Sequence, residues 1–159
     1  MSVRVRVCFV CLGNICRSPT AEAVFVRAVE RAGLSDRFHI DSAGTGDWHV
    51  GEPAHHDTRR TAEQRGVRIT HRARQFVRAD FERFDLVLAM DRSNAQTLHR
   101  LASSEEARAK VRMFRDFVGN EPGLEVPDPY YTGEFDRVFD ICEEAAEALL
   151  LHLRREHAL

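Results

Sequence analysis

VCFVCLGNICRSPTAEAVF, residues 7–25, is the stretch that decides the fold. It begins with an unbroken apolar run, which is typical of a strand buried on both faces of a parallel sheet. After Arg17 the apolar residues recur at helical spacing, with Ser18 as the expected N-cap and Pro19 in the first turn. The stretch therefore predicts a buried strand, a short loop that starts at Cys11, and a helix that follows an arginine.

The rest of the chain continues this alternation of strands and helices. Buried strands are predicted at residues 38–41, 85–90 and 111–114, and helices at residues 55–65, 91–101 and 135–153. Such alternation favours a doubly wound parallel sheet, in which ligands bind beyond the carboxyl ends of the strands, where Cys11 is expected. The proline-rich stretch at residues 118–133 is predicted as a long loop of the kind that often carries function.

Length and charge place the chain among ordinary globular proteins and give no reason to expect binding to nucleic acid or insertion into a membrane. Its 159 residues suit one domain spanning 1–159, and its formal net charge of -2 gives no reason to expect nucleic acid as a partner. The sequence has no apolar run of about 18 residues, so no membrane-spanning helix is expected. The first four residues, MSVR, lack the long apolar segment of a secretory signal, so we expect a cytoplasmic protein.

Four cysteines and eight histidines raise the question of disulfides and metal sites. Cys8 and Cys11 are spaced like a redox pair, but on one extended strand their Cα atoms would lie about 10 Å apart. A disulfide requires less than about 7 Å between these atoms, so Cys8 is predicted to be a core residue. The histidines show no spacing that is typical of metal ligands, and no metal site is expected.

The loop after the first strand has the composition of a phosphate-binding site. Gly13 and Asn14 tolerate the positive φ that lets a loop turn successive backbone N–H groups inward. The following helix adds its positive N-terminal end, and Arg17 adds a planar fork of donors that matches phosphate oxygens. The same donors favour the thiolate form of Cys11 over the thiol. The loop is therefore expected to hold a tetrahedral dianion above a nucleophile, with Ser18 donating to the thiolate.

Asp128 is the candidate general acid for a reaction in such a site. It lies between two prolines, which stiffen its backbone, within the loop that is predicted to be functional. Tyr130 and Tyr131 follow it in the sequence, and their rings are expected to form the wall of a pocket for a flat substrate.

Together these motifs resemble those of a known family. VCLGNICRSP, residues 10–19, closely resembles the signature loop of the low molecular weight protein tyrosine phosphatases, and DPYY, residues 128–131, resembles their late acid motif. Segments similar to other family segments follow in family order, among them residues 41–45, 71–75 and 89–91. The resemblance implies a flavodoxin-like fold with four parallel strands and helices on both faces. It also implies hydrolysis of phosphotyrosine in proteins through a phosphocysteine intermediate, which releases inorganic phosphate without a metal ion or cofactor.

The resemblance also implies a role for each site residue. Cys11 is expected to be the nucleophile, Arg17 the phosphate clamp, and Asp128 the acid that later activates water. Ser42 and His71 are expected to brace the loop by hydrogen bonds. The predicted substrate-binding residues come from the loop and from the mouth of the pocket: Leu12, Gly13, Asn14, Ile15, Cys16, Ser18, Trp48, Tyr130 and Tyr131.

Two other functions fit part of this pattern. A thioredoxin-coupled arsenate reductase would share the fold and the loop, but such reductases carry further cysteines in the segment equivalent to residues 78–94, which here contains none. A non-catalytic phosphopeptide-binding module would not need both Cys11 and Asp128. Ile15 bears on the choice of substrate, because related protein-arginine phosphatases carry a threonine at the matching position. We therefore expect phosphotyrosine to be preferred over phosphoarginine, and both over phosphoserine and phosphothreonine.

Overall fold

Four β-strands and seven α-helices make up the computed structural model, which describes residues 4–119 and 121–159. The strands are β1 (Val5–Cys11), β2 (Phe38–Gly44), β3 (Leu86–Ala89) and β4 (Val111–Met113). The helices are α1 (Arg17–Arg31), α2 (His56–Gln64), α3 (Asp80–Arg83), α4 (Arg92–Leu101), α5 (Glu105–Ala109), α6 (Pro129–Thr132) and α7 (Phe135–His157). All predicted strands and helices are present, whereas the short helices α3, α5 and α6 were not predicted.

The four strands form one parallel sheet, as the sequence predicts, and they lie in the order β2-β1-β3-β4. β1 is central and pairs with β2 on one side and with β3 on the other. The chain moves from β1 to β2 on one side and then crosses to β3 on the other side of β1, and this reversal opens a crevice at the carboxyl ends of these strands. Cys11, the last residue of β1, lies opposite Gly44 of β2 at this edge.

Alternate residues of β1 pack into hydrophobic clusters on opposite faces of the sheet. Val7 and Phe9 belong to the larger cluster, to which α1 contributes half of its buried residues and α7 contributes all of them. Cys8 and Val10 belong to a second cluster, which includes Leu98 of α4. Helices therefore lie on both faces, in agreement with the predicted doubly wound fold. The burial of β1 on both sides explains its unbroken apolar run.

The start of α1 differs from the prediction in one respect. Cys16 occupies the N-cap position and Ser18 lies inside the first turn, so the prediction of Ser18 as the N-cap is wrong. The Ser18 hydroxyl instead contacts the sulfur of Cys11 and the side chain of Asn14, because the loop curls back over the start of the helix. Ser18 therefore acts on the thiol rather than on the helix end.

The segment predicted as a long loop, residues 118–133, contains the short helix α6 directly after Asp128. Residue 120 of this segment lies outside the described residues. Within the described ranges, no helix is long and apolar enough to cross a membrane. The segment ends at Gly133, which has a positive φ of 74° and terminates α6 two residues before α7 begins.

Candidate active site

Cys11 lies at the floor of the crevice, where it is 3% exposed. Its Sγ atom is 3.0 Å from the hydroxyl oxygen of Ser18 and accepts a hydrogen bond from the backbone N–H of Asn14 at 3.3 Å. This backbone contact requires the chain to turn back sharply, and Asn14 adopts a left-handed φ of 56° to allow it. The sulfur therefore lies within hydrogen-bond distance of one backbone N–H and one hydroxyl.

The backbone of the loop is oriented by neighbours that bind its carbonyl oxygens. The carbonyls of Cys11 and Leu12 accept hydrogen bonds from the N–H groups of Thr45 and Gly46, each at 2.9 Å. The carbonyl of Ile15 accepts a hydrogen bond from the N–H of His55, which directly precedes α2, at 2.8 Å. A trans peptide directs its N–H group opposite to its carbonyl, so the N–H groups that follow these carbonyls point toward the crevice. The loop thus presents backbone donors to an anion.

The side chain of Asn14 connects the loop to the rest of the fold. Its amide nitrogen donates to the hydroxyls of Ser18 and Ser42, at 2.8 and 3.1 Å. Its amide oxygen lies 2.8 Å from Nε2 of His71 and accepts a hydrogen bond from the backbone N–H of Arg74 at 3.0 Å. Ser42 and His71 therefore both contact the side chain of the loop residue Asn14.

Arg17 is held in place by two acidic side chains and one carbonyl. Its Nη1 atom lies 2.7 Å from Oδ2 of Asp91 and donates to the carbonyl of Val126 at 3.1 Å. Its Nη2 atom lies 3.5 Å from Oδ2 of Asp128. Burial by itself lowers the pKa of Arg17, but the Cys11 sulfur, Asp91 and Asp128 together raise it above its ordinary value. The guanidinium is therefore a permanent positive charge with a fixed orientation.

Asp91→Asn is expected to lower kcat/KM for a phosphotyrosine peptide, by up to about 10²-fold, because a misplaced catalytic group costs that much. Asparagine keeps the Oδ1 atom that accepts the N–H of Asn94 and caps α4. It removes the negative charge beside Arg17. The control is Asp85→Asn, which makes the same change in a surface pair with Arg6. An unchanged kcat/KM in Asp91→Asn would contradict the positioning role.

Asp128 is oriented by its position at the start of α6. Its Oδ1 atom accepts a hydrogen bond from the backbone N–H of Tyr130 at 3.1 Å, and Pro129 occupies the first helical turn. This contact leaves Oδ2 on the side of Arg17. One carboxylate oxygen is thus used to fix the side chain, and the other faces the crevice.

Cys16 differs from Cys11 in its environment, although both lie in the loop. Burial raises the pKa of Cys16 to about 12, and the negative groups Cys11 and Asp128 act in the same direction against a hydrogen bond from Thr58. Cys16 therefore remains a protonated thiol at neutral pH.

The crevice contains a cavity of about 250 Å³. Cys11 and Arg17 lie at its floor, both 3% exposed. Trp48, Tyr130 and Tyr131 form its rim and are 68%, 56% and 78% exposed. Asn14 and Ser18, which were also predicted to bind substrate, are buried behind the loop and do not line the cavity. The lining consists of the following residues: Cys11, Leu12, Gly13, Ile15, Cys16, Arg17, Trp48, His49, Asp128, Tyr130 and Tyr131.

Two residues of the site were not predicted as such. His49 lines the cavity beside Gly13 and was not singled out in the sequence. Asp91 was predicted only as the start of a helix, and the structure shows that it caps α4 and also binds Arg17. A signal for Asp91 was present, because it follows the carboxyl end of a buried parallel strand, where sites of this fold form.

Comparison with known proteins agrees with this geometry. The model of the low molecular weight phosphotyrosine protein phosphatase family matches residues 6–159. A Streptomyces coelicolor protein named low molecular weight protein-tyrosine-phosphatase is 47% identical over 155 residues, which cover 95% of this chain and 94% of the relative.

Solved structures show the same likeness. YfkJ from Bacillus subtilis is 37% identical, with a TM-score of 0.93 and 98% of each chain covered. DARP, a Drosophila arginine phosphatase, is 31% identical, with a TM-score of 0.86, and the match covers 93% of this chain and 97% of that one. Since the family model spans nearly all of the sequence and the relatives match over almost their full length, the chain belongs to the low molecular weight phosphotyrosine protein phosphatases, a family of hydrolases.

Proposed function

We propose that this phosphatase hydrolyses phosphotyrosine in protein substrates through a phosphocysteine intermediate on Cys11, without a metal ion or cofactor. The observation that carries the proposal is the convergence on one cavity of a buried thiol, the fixed Arg17 guanidinium and the Asp128 carboxyl. These three groups supply a nucleophile, a clamp for phosphate oxygens and an acid, which are the parts that phosphate-ester cleavage through a covalent intermediate needs.

In the first step the phosphate group is bound by Arg17 and by the inward backbone N–H groups of the loop. The Cys11 thiolate attacks phosphorus, so that a sulfur–phosphorus bond forms while the bond from phosphorus to the tyrosine oxygen breaks. Asp128, in its protonated form, donates its proton to the leaving phenolate oxygen. The products of this step are the dephosphorylated protein, phosphocysteine and the Asp128 carboxylate.

In the second step the Asp128 carboxylate takes a proton from a water molecule, whose oxygen attacks phosphorus. The sulfur–phosphorus bond breaks, and inorganic phosphate is released. The sulfur leaves as a thiolate, which the Ser18 hydroxyl stabilises at 3.0 Å. Cys11 and Asp128 return to their starting forms, so the cycle requires only water as a second substrate.

Turnover of phosphotyrosine peptides, measured with and without a metal chelator, tests this proposal. We expect equal rates under both conditions, and phosphate attached to the Cys11 peptide when the reaction is stopped in acid and analysed by mass spectrometry. Peptide binding without turnover would instead support a phosphopeptide-binding module. Reduction of arsenate that depends on thioredoxin would support an arsenate reductase.

The depth of the cavity supports phosphotyrosine as the substrate class. The reacting phosphorus must approach the Cys11 sulfur to about 3–3.5 Å, and that sulfur lies at the floor below an aromatic rim. A phenyl ring spans the distance from rim to floor and stacks against Trp48 and the tyrosines, whereas the single methylene of phosphoserine is too short. Comparable kcat/KM values for phosphoserine and phosphotyrosine peptides of the same sequence would contradict this selection by depth.

Ile15→Thr is expected to raise the turnover of phosphoarginine relative to phosphotyrosine, roughly 2–10-fold, which corresponds to one net hydrogen bond of about 0.5–1.5 kcal/mol. Ile15 lines the cavity and offers only apolar contact to a guanidinium. The matched control is Ile15→Val, which has the shape of threonine without the hydroxyl. The ratio of kcat/KM values for the two substrates decides the matter, and equal ratios in both variants would contradict the role of a polar group here.

Three further expectations from the sequence stay predictions. Residues 1–159 are proposed to form a single phosphatase domain, and the protein is proposed to be cytoplasmic. Its partners are proposed to be phosphotyrosine-containing proteins rather than nucleic acid or membranes, in line with the formal net charge of -2.

A further inference from the structure

The ring of one histidine contacts the segment that carries Asp128 at two places. His55 directly precedes α2, and its ring stacks on the ring of Phe135, with the centroids 5.2 Å apart and the planes at 21°. It also meets the ring of Tyr130 edge to face, at 5.9 Å and 82°. Both separations lie in the range of about 4.5–7 Å that aromatic pairs prefer. The ring of His55 therefore joins α6 and the start of α7 to the start of α2.

α6 is short and mostly exposed. Of its four residues, only Pro129 is buried. A helix of this length is not stable by itself, so its position depends on its contacts with the rest of the fold. The backbone N–H of Tyr130 donates to Oδ1 of Asp128 at 3.1 Å, so a displacement of Tyr130 also displaces the carboxyl. The contacts that hold Tyr130 thus help to set the orientation of Asp128.

The main chain of His55 binds the phosphate-binding loop. Its backbone N–H donates to the carbonyl of Ile15 at 2.8 Å. Ile15 and Cys16 also belong to a small hydrophobic cluster against which Phe135 packs. The loop that contains Cys11 and the segment that contains Asp128 therefore meet at His55, the first through its main chain and the second through its ring.

The ring of His55 is itself held in place. Its Nδ1 atom accepts a hydrogen bond from the backbone N–H of Asp57 at 3.1 Å, which caps α2. This hydrogen bond and the stack on Phe135 together fix the orientation of the imidazole. His55 does not line the cavity, so its effect on a reaction there must pass through its neighbours.

We propose that His55 is a positioning residue, which keeps Asp128 within reach of the leaving oxygen by fixing Tyr130 and Phe135 against the start of α2. This inference rests on the proposed role of Asp128 as the acid. A displacement of a catalytic group by about 1 Å can cost about 10²-fold in rate. A looser α6 leaves the bound phosphate in place and slows the steps in which Asp128 transfers a proton.

Two substitutions separate the ring of His55 from its role as a helix cap. His55→Asn keeps a side chain that is favoured at the N-cap and removes the ring. It is expected to lower kcat for phosphotyrosine peptides about tenfold, a part of the roughly 10²–10⁴ that a positioned acid supplies. Turnover of nitrophenyl phosphate and inhibition by inorganic phosphate are expected to stay unchanged. His55→Phe keeps a ring and removes the acceptor, so it is expected to retain both rates and to lower the melting temperature.

His56→Asn is the matched control, because it makes the same change at the exposed first residue of α2 and is expected to leave both rates unchanged. An equal loss for both substrates in His55→Asn, no loss for either, or a larger loss in His55→Phe than in His55→Asn would overturn the proposal. Asp128→Asn, measured with the same two substrates, tests the acid itself. Failure of the proposed function would therefore appear in that variant and be distinguishable from failure of the positioning role.

The tyrosines provide a readout that does not depend on turnover. Tyr130 and Tyr131 are the only tyrosines of the chain, so isotope labelling of the tyrosine nitrogens gives two amide signals, both from α6. The order parameter of the Tyr130 amide is expected to be about 0.85 in the unmodified protein and in His55→Phe, and below about 0.6 in His55→Asn. An unchanged order parameter in His55→Asn would overturn the proposal, whichever substrate the enzyme prefers.

Discussion

Cys11→Ser is expected to reduce the turnover of phosphotyrosine peptides to background while the binding of inorganic phosphate persists. The substitution replaces the sulfur that contacts the Asn14 N–H and the Ser18 hydroxyl by a hydroxyl, which is a much poorer nucleophile than a thiol group. The backbone N–H groups and Arg17, which hold the phosphate, remain in place. The expected result is thus loss of kcat without loss of ligand affinity.

The measurement pairs steady-state kinetics with calorimetric titration of inorganic phosphate. The matched control is Cys8→Ala, which removes a fully buried thiol from the same strand, on the face opposite to Cys11. This control is expected to lower thermal stability and to retain turnover. Turnover near that of the unmodified protein in Cys11→Ser would contradict the phosphocysteine mechanism, and loss of phosphate binding would indicate a structural role for Cys11.

Asp128→Asn is expected to lower turnover of phosphotyrosine peptides by roughly 10²–10⁴, the usual contribution of a positioned general acid. Asparagine keeps the oxygen that accepts the N–H of Tyr130, so the start of α6 is preserved. It removes the proton that the leaving phenolate requires. The loss is therefore expected to be large for tyrosine esters and much smaller for nitrophenyl phosphate, whose leaving group needs little protonation.

Comparison of the two substrates in one variant distinguishes acid catalysis from a general loss of structure. Asp136→Asn is the matched control, because it makes the same change in an exposed pair between α7 and Arg65. It is expected to leave both rates unchanged. An equal loss for nitrophenyl phosphate and for phosphotyrosine peptides in Asp128→Asn would mean that Asp128 is not the acid.

The local parts of the site follow from the sequence because they depend on neighbours in the chain. An unbroken apolar run, a loop with Gly13 and Asn14 and a helix after Arg17 specify a strand, an anion-binding turn and a helix by periodicity and backbone preference. The position of Asp128 between prolines follows in the same way. These features located Cys11, Arg17 and Asp128, together with the four strands of the parallel sheet.

The contacts between distant segments could not be predicted from the sequence and are visible only in the tertiary structure. The pairing of Arg17 with Asp91, the place of His49 in the cavity wall and the stacking of His55 on Phe135 join residues from different elements. Such contacts depend on the register of the strands and on how each helix packs on the sheet, which hydrophobic periodicity does not specify. The sequence by itself determined which elements form and where the reactive loop lies. Only the packing of those elements decided which side chains meet around it.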